Sequence, residues 1–301
     1  MKVRKAVIPI AGLGTRHFPA SHAVKKELFP VVGADGIARA LFHYHLLELE
    51  AAGIGEICII VQPGEEQMVR DYLRGPDDSY LKRLEKYPAL LREAEQMRSF
   101  EKRVSFAVQS EQEGYGHAVF QTNKFANGEM VLLVLGDHLF RGSPISPYRA
   151  MLDLANGGRA QAPAGKSVSA VNRISASELK GYGTIAGTRR AENPRLIDVS
   201  LIIEKPAVAV AREQLHVDDL PADTWLCWFG MHLLAPSIYE ILGEMIRDNV
   251  RDNGEFQLTR SQEIQRQREG YLALEMTGAE RFDFGVPDDF VRSVQAFRHA
   301  P

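Results

Sequence analysis

The sequence predicts an α/β fold in which a mixed, mainly parallel central sheet is flanked by helices. In the first half, short β-branched segments alternate with amphipathic helical ones. Strand–helix–strand order implies parallel strands joined by crossovers. In the second half, several short strands follow one another with turn signals between them, which favours a mixed sheet. The 301 residues, of which 45% are hydrophobic and 25% charged, are typical of a globular chain.

The first elements alternate between strand and helix. Val3–Ile10 is a compact β-branched strand, and Ile37–Ala52 has apolar residues at helical i, i+3 and i+4 spacing. Glu56–Val61 is predicted as the second strand and Glu65–Leu73 as the second helix. This order predicts that the two strands lie in one parallel sheet.

A charged helical insertion is predicted at about residues 75–103. Within it, Tyr80–Lys102 has apolar side chains on one stripe, and Pro88 is expected to begin a second helix because proline suits the first helical position. Strand character returns at Val104–Gln109 and at Met130–Leu135, with a helix expected over Ala118–Phe125.

The second half is predicted to contain a loop, four short strands and a terminal helix. Ala155–Ser167 has several small and turn-forming residues without an apolar period, so it is predicted as a loop. Pro287–Phe297 opens with a proline and two aspartates and continues at helical apolar spacing, which predicts an amphipathic helix. The strands are predicted at Val168–Asn172, Gly183–Ala186, Leu196–Glu204 and Trp225–Leu233.

Composition excludes several classes of protein. The net charge of −3 provides no basic field for nucleic acid. The longest apolar runs, such as Val131–Leu135, are far shorter than the roughly 20 residues of a membrane helix. Cys58 and Cys227 lie in apolar runs, so we expect buried thiols and a reducing, cytoplasmic compartment. The aromatic residues Trp225, Trp228 and Phe229 are expected to pack in the core.

The segment after the first strand has the strongest local signal for ligand binding. Ala11–Arg16 reads Ala-Gly-Leu-Gly-Thr-Arg, in which glycines let backbone N–H groups approach phosphate oxygens and the arginine adds a planar fork. His17 stands where a dinucleotide-binding motif would need its third glycine, and the P-loop lysine is missing. A plain strand-to-loop turn remains an alternative on these residues alone.

Further motifs continue along nearly the whole chain. They are Pro19, Lys26-Glu27-Leu28-Phe29-Pro30, Gln109, Gly114-Tyr115-Gly116-His117-Ala118, Leu135-Gly136-Asp137, Glu204-Lys205-Pro206, Gly254-Glu255-Phe256-Gln257-Leu258-Thr259 and Asp283-Phe284-Gly285. In this order they resemble the bacterial UTP–glucose-1-phosphate uridylyltransferase (UDP-glucose pyrophosphorylase) family of sugar nucleotidyltransferases.

The resemblance implies a Rossmann-like, glycosyltransferase-A-like fold over a single nucleotidyltransferase domain, residues 1–301. Its nucleotide-binding part would span about 1–140 and its sugar-binding part about 141–301. The implied reaction is Mg²⁺-assisted attack of glucose-1-phosphate on the α-phosphorus of UTP, giving UDP-glucose and pyrophosphate. UTP and a sugar-1-phosphate are therefore the expected partners, without nucleic acid or membrane, and a homo-oligomer is expected.

The resemblance also implies the catalytic and metal-binding residues. Arg16 and Lys26 would face the triphosphate, and Asp137 and Asp283 would hold Mg²⁺. Asp137 follows an apolar strand at its carboxyl end, where ligands bind in open α/β sheets, and carboxylates suit Mg²⁺. The alternatives are a turn or helix-cap role for Asp137, a turn role for Asp283 and a solvated surface role for Lys26.

Two further sets of binding residues follow from the resemblance. The amide of Gln109 matches the O4 and N3–H edge of uracil. Lys205 would bind the sugar phosphate and Glu204 the sugar hydroxyls, whereas Glu255 would contact the sugar or cap a helix. The nucleotide-binding set is Ala11, Gly12, Gly14, Thr15, Gln109, Gly114 and Gly116, and the sugar-phosphate set is Gly183, Glu204, Lys205 and Glu255. His117 is expected either to contact the ligand or to cap a helix.

The chain also departs from the family pattern. Ser21-His22 replaces Thr-Lys, Lys25 replaces proline, His138 replaces a hydrophobic residue, and Arg260-Ser261 replaces Asp-Ala. The missing lysine removes a phosphate-facing charge that Lys25 could replace. Three alternatives therefore stay open: a pyrophosphorylase for another sugar-1-phosphate or for dTTP, a non-catalytic UDP-sugar-binding paralogue, and, less favoured, a Rossmann oxidoreductase.

Overall fold

Thirteen strands and twelve α-helices are found in residues 2–156 and 165–299, which a computed structural model describes. The strands are β1 Lys5–Pro9, β2 Pro30–Val32, β3 Ala38–Ala40, β4 Glu56–Val61, β5 Val104–Val108, β6 Val131–Val134, β7 His138–Gly142, β8 Val168–Ser175, β9 Gly183–Arg190, β10 Asn193–Glu204, β11 Thr224–Leu234, β12 Leu272–Glu275 and β13 Ala279–Asp283. The helices are α1 Ala20–Ala23, α2 Leu41–Ala51, α3 Glu66–Arg74, α4 Asp78–Leu84, α5 Pro88–Glu101, α6 Tyr115–Phe120, α7 Asn123–Ala126, α8 Pro147–Ala155, α9 Val208–Gln214, α10 Ser237–Arg247, α11 Leu258–Glu269 and α12 Pro287–His299.

A nine-stranded mixed sheet forms the centre of the molecule, with the strand order β5-β4-β1-β6-β11-β8-β12-β10-β9. The first four strands are parallel, and Val7 of β1 pairs with Cys58 on one side and Leu133 on the other. From β11 onward the pairing is antiparallel, except for the parallel pair β8–β12. The predicted mixed α/β architecture is confirmed, with its continuous parallel block in the first half.

Two small antiparallel ribbons lie outside this sheet. β2 pairs with β3, and β7 pairs with β13. In the second ribbon, His138 is directly opposite Asp283. This register brings the segment that follows β6 next to a strand from near the other end of the sequence.

The predicted elements of the first half are present with small shifts. β4 has the predicted bounds, and Pro88 occupies the first turn of α5, as expected. The helix predicted from Ile37 begins only at Leu41, because Ala38–Ala40 pairs with β2. The helix predicted over Ala118–Phe125 is two short helices, α6 and α7, and Thr122 between them bonds back to a carbonyl of α6.

The second-half strands are longer than predicted. Each of β8, β9, β10 and β11 extends beyond its predicted bounds, by two to four residues in total. Of the loop predicted at Ala155–Ser167, residues 157–164 lie outside the described residues. Its flanks are anchored, since Asn156 accepts a hydrogen bond from the Val3 backbone and the Ser167 hydroxyl accepts one from the Ala235 backbone.

Apolar side chains fill the space between the sheet and its helices. Both cysteines are buried, and burial raises the pKa of each thiol to about 12. Trp225, Trp228 and Phe229 are buried too, in agreement with the expectation of core packing. None of the helices in the two described ranges has the length and apolarity needed to cross a bilayer.

Candidate active site

A cleft of about 540 Å³ opens at the carboxyl ends of β1 and β6. Ligands bind at this edge in open α/β sheets. One wall is the glycine loop, residues 11–16, and the opposite wall is formed by the start of α6. Its lining includes ten of the predicted site residues: Ala11, Gly12, Gly14, Thr15, Arg16, Lys26, Gln109, Gly114, Asp137 and Glu255.

The glycine loop turns sharply at Gly14, which has a φ of +65°. A side chain there would adopt left-handed backbone and would place its Cβ 3.1 Å from the Cβ of Ser21. Thr15 and Arg16 follow in one turn of 3₁₀-helix. The Arg16 side chain is exposed, and in the described ranges its guanidinium has no carboxylate within 4.0 Å. It is therefore available to an anionic ligand.

Lys26 crosses the floor of the cleft toward Asp137. Its Nζ lies 2.5 Å from Asp137 Oδ2 and 3.5 Å from Glu27 Oε1. Burial disfavours the charged ammonium, but the charges of Asp137 and Glu27 outweigh burial and raise the pKa of Lys26. Burial raises the pKa of Glu27 to about 7. The lysine is thus a charged group in the cleft, and the alternative of a solvated surface lysine is wrong.

Asp137 and Asp283 are brought together by the ribbon of β7 and β13. His138 Nδ1 donates to Asp137 Oδ1 at 2.8 Å, and His138 Nε2 lies 3.4 Å from Asp283 Oδ2 without hydrogen-bond alignment. Burial opposes ionisation of Asp137, but His138 and Lys26 hold the pKa of its carboxyl well below the usual range. The pKa of Asp283 is also lowered, since its contact with His138 outweighs its burial.

These two carboxylates fit a magnesium ion that is shared with phosphates. A Cβ on Gly285 would lie 3.0 Å from Asp283 Oδ1 and 3.1 Å from Asp137 Oδ2, so both carboxylates border the same small space. Mg²⁺ is usually held by one or two carboxylates together with substrate phosphates and water. The described residues contain no group of three or more His, Cys, Asp or Glu side chains arranged for a metal. The donor set therefore suits a substrate-linked ion better than a closed protein cage.

His17 fastens the glycine loop to the segment that carries Asp283. Its Nε2 lies 2.9 Å from the carbonyl oxygen of Phe284, and its ring packs edge-on against Phe29 and Phe290. The histidine that replaces the third glycine of a dinucleotide motif is therefore a structural contact.

Gln109 lies at the base of the cleft and is almost fully buried. Its Nε2 donates to the Gly114 carbonyl at 3.1 Å and lies 3.4 Å from His117 Nδ1. The Gly114 carbonyl thus takes one of the two amide N–H donors of Gln109. His117 supports Gln109 from behind.

Gly116 and Glu255 differ from their expected positions. Gly116 is buried, and a Cβ there would lie 2.7 Å from the Phe256 carbonyl. The backbone of Phe256, and not a ligand, is therefore what approaches this glycine closely, and Gly116 does not line the cleft. Glu255 lies beside Gly114 on the base side and accepts from Gln257 Nε2. Glu255 lines the cleft together with most of the predicted nucleotide-binding residues, and it does not cap α11.

The other residues predicted to bind the sugar phosphate form a second group at the start of β9 and the end of β10. Gly183 pairs with Glu204 across the two strands. Glu204 Oε2 accepts from the Thr259 hydroxyl at 2.7 Å, and Lys205 Nζ lies 3.5 Å from Glu204 Oε1. A Cβ on Gly183 would lie 2.6 Å from the Trp228 indole, which explains the glycine. Thr259 and Trp228 were not predicted here, although Thr259 lies in a motif.

Lys25 does not face the cleft. Its Nζ binds Glu65 Oε1 at 2.8 Å and the Gly12 carbonyl at 3.3 Å, on the outer side of the glycine loop. A second cavity of about 760 Å³ on that side is lined by both residues and by Ser21 and His22. The idea that Lys25 replaces a phosphate-facing lysine is therefore wrong for this arrangement, since its charge is engaged by Glu65.

Sequence comparison identifies the family to which this site belongs. The sequence model of the nucleotidyl transferase family matches residues 5–298. The chain belongs to the nucleotidyl transferase family. The cleft at the carboxyl ends of β1 and β6, with its glycine loop, is therefore the candidate active site of a nucleotidyl transferase.

Individual relatives align with nearly the full length of this nucleotidyl transferase. UTP–glucose-1-phosphate uridylyltransferase 1 of Staphylococcus saprophyticus is 29% identical over 99% of this chain and 93% of its own. Among solved structures, a UDP-glucose pyrophosphorylase complexed with UDP-glucose has a TM-score of 0.75 at 22% identity, over 98% of both chains. The UTP-bound UGPase from Acinetobacter baumannii also has a TM-score of 0.75, at 24% identity, over 98% of this chain and 93% of its own.

Proposed function

We propose that this nucleotidyl transferase forms UDP-glucose and pyrophosphate from UTP and glucose-1-phosphate. The observation that carries the proposal is the Lys26–Asp137 pair at the carboxyl end of β6, facing a glycine loop, in a chain of this family. The named function of the S. saprophyticus relative supports the choice of substrates.

In the proposed reaction, a phosphate oxygen of glucose-1-phosphate forms a bond to the α-phosphorus of UTP. The bond between the α-phosphorus and the bridging oxygen breaks, and pyrophosphate leaves with that oxygen. No covalent enzyme intermediate is needed, so catalysis consists of positioning and charge neutralisation. Arg16 and Lys26 supply positive charge beside the phosphates, and the backbone N–H groups of residues 12–15 bind phosphate oxygens.

Asp137 and Asp283 would hold Mg²⁺, which supplies positive charge at the phosphates when it is bound. Lys26 neutralises Asp137 and places an ammonium at the edge of the cleft, beside the position proposed for the triphosphate. The Oε1 atom of Gln109 accepts the N3–H of uracil, and Glu204 and Lys205 bind the sugar and its phosphate.

The proposal extends to the domain organisation, cellular location and assembly of the protein. We propose that the 301 residues form one nucleotidyltransferase domain, with nucleotide binding in about 1–140 and sugar binding in about 141–301. We also propose a cytoplasmic homo-oligomer that engages neither nucleic acid nor membrane.

The test is pyrophosphate release from UTP and a panel of sugar-1-phosphates in the presence of Mg²⁺, with dTTP as the competing nucleotide. Turnover with UTP and glucose-1-phosphate that is lost in Asp137→Ala supports the proposal. Asp153→Ala is the matched control, because Asp153 is an exposed carboxylate on α8 that pairs with Arg149. Turnover only with another sugar or base, or binding of UDP-glucose without turnover, would contradict it.

A further inference from the structure

Arg281 is a half-buried arginine on β13, and no carboxylate of the described residues lies within 4.0 Å of it. In the described ranges, seven other arginines are buried or half-buried, and each has a carboxylate within 4.0 Å. They are Arg39, Arg103, Arg141, Arg189, Arg190, Arg251 and Arg266. Arg281 has none in those same ranges. Because a charge removed from water needs compensation, this exception calls for an anion that the described residues do not supply.

The guanidinium of Arg281 is held in a defined place. Its Nη1 donates to the Trp228 carbonyl at 2.8 Å, and its central carbon lies 4.0 Å from the centre of the Tyr182 ring. These contacts occupy one face and one of the five N–H donors. The nearby Cys227 thiol is not the missing anion, since burial raises its pKa to about 12, and burial likewise raises that of Tyr182 to about 12.

Arg281 connects the two groups of candidate site residues. It is two residues from Asp283 on the same strand, and side chains at that spacing lie on the same face. Its aromatic partner Tyr182 directly precedes Gly183, and the Tyr182 carbonyl accepts from the Lys205 backbone. The guanidinium is thus placed between the metal carboxylate and the strand ends that hold the sugar-phosphate residues.

We propose that Arg281 binds the phosphoryl group of the sugar-1-phosphate, an inference that rests on the proposed function. The planar fork of an arginine matches two phosphate oxygens at once. Lys205 alone is a poorer anchor, because its side chain is 56% exposed and lies beside Glu204. Arg281 and Lys205 together hold the attacking phosphate on the Asp283 side of the cleft.

The KM values of the Arg281→Gln and Arg281→Lys variants, measured separately for glucose-1-phosphate and for UTP, test this assignment. We expect Arg281→Gln to raise KM for glucose-1-phosphate roughly ten- to a hundredfold, as for a lost charged hydrogen bond, with KM for UTP within about twofold. Arg281→Lys keeps the charge without the fork and recovers part of the loss. Arg141→Gln is the matched control: it is half-buried on β7 of the same ribbon, pairs with Glu48 and lies over the Phe297 ring.

The assignment is overturned if KM for glucose-1-phosphate is unchanged in Arg281→Gln, or if both KM values rise together with a lower Tm, as for a purely structural arginine. Failure of the proposed function is distinguishable, because it shows in the wild-type protein as absent turnover. In that event, calorimetric titration of the wild type and of Arg281→Gln with glucose-1-phosphate tests whether Arg281 binds the phosphoryl group. Binding to the wild type that is weakened in Arg281→Gln supports the assignment, and equal or absent binding in both proteins overturns it.

Discussion

The ammonium of Lys26 lies 2.5 Å from the carboxylate of Asp137, at the point where the glycine loop meets the end of β6. Neither residue has a closer opposite charge. Removing one partner leaves the other as an uncompensated charge in a largely buried place, which is costly. The pair is therefore a structural contact that also holds an ammonium group beside the cleft.

For Lys26→Met, we expect kcat to fall by about 10²–10³, the range for loss of one preorganised charge contact in a transition state. Steady-state pyrophosphate release measures the effect. Lys124→Met on α7, far from the cleft lining, is the control and should keep wild-type kcat. A Lys26 variant with more than a tenth of wild-type kcat would mean that Arg16 carries the charge alone.

The Lys25–Glu65 contact predicts a coupled effect on nucleotide binding. Lys25 ties the Gly12 carbonyl to the start of α3 through Glu65, so its loss should loosen the glycine loop. Lys25→Met and Glu65→Gln should each weaken UTP binding several-fold, and the double variant should be no weaker than the stronger single effect. Calorimetric Kd values for UTP test this. Strictly additive effects would show that the two residues act separately.

The close packing around Gly183 predicts that a side chain at this position destabilises the fold. In Gly183→Ala, the new Cβ would meet the Trp228 indole at 2.6 Å and Glu204 Oε2 at 3.0 Å. Overpacking of this kind costs about 1–3 kcal/mol. Gly181→Ala is the control, since nothing lies within 4 Å of its Cβ position. Urea unfolding should show a lower midpoint for Gly183→Ala alone, and similar midpoints for both variants would contradict the packing argument.

Glu27 predicts a pH-dependent contribution to stability. Burial raises its pKa to about 7, whereas the unfolded chain ionises it near 4.5. Between these values the folded protein keeps a proton that the unfolded protein releases, so raising the pH favours unfolding. This loss, roughly 3 kcal/mol at most, should be complete above pH 7.

Glu27→Gln removes that titration. Its free energy of unfolding relative to wild type should therefore increase from pH 5 to pH 8, as measured by urea unfolding at both pH values. Glu66→Gln is the control, because Glu66 lies outside the cleft lining in the first turn of α3. A difference between Glu27→Gln and wild type that is the same at both pH values would contradict the raised pKa.

Much of the fold could be predicted from local patterns. β4 and the proline start of α5 match their predicted bounds because periodicity and proline geometry act within a few residues. The short ribbons could not be predicted in this way. Ala38–Ala40 continues a helical pattern in sequence, but it pairs with Pro30–Val32, and that pairing depends on how distant segments meet.

The candidate site also combines features that local sequence predicts with features that depend on contacts between distant segments. The position of Asp137 at a strand end follows from its apolar neighbours, and its partner Asp283 followed only from the family resemblance. Gly116 was expected to admit a ligand, but a glycine motif does not say which atoms approach, and here they belong to Phe256. The Glu65 partner of Lys25 depends on side-chain contacts across a long sequence separation, and so does the lack of a carboxylate near Arg281 among the described residues.

Because the β7–β13 ribbon joins segments that are far apart in sequence, the candidate site is completed only late in synthesis. His138 and Asp283 are opposite each other in this ribbon, although nearly half of the chain separates them. A growing polypeptide makes the parallel strands and Lys26–Asp137 first, since synthesis proceeds from the N-terminus. A product truncated between Gly142 and Ala279 therefore has the glycine loop but neither Arg281 nor Asp283. Under the proposed function, we expect incomplete chains from interrupted translation to bind a nucleotide only weakly and not to consume it.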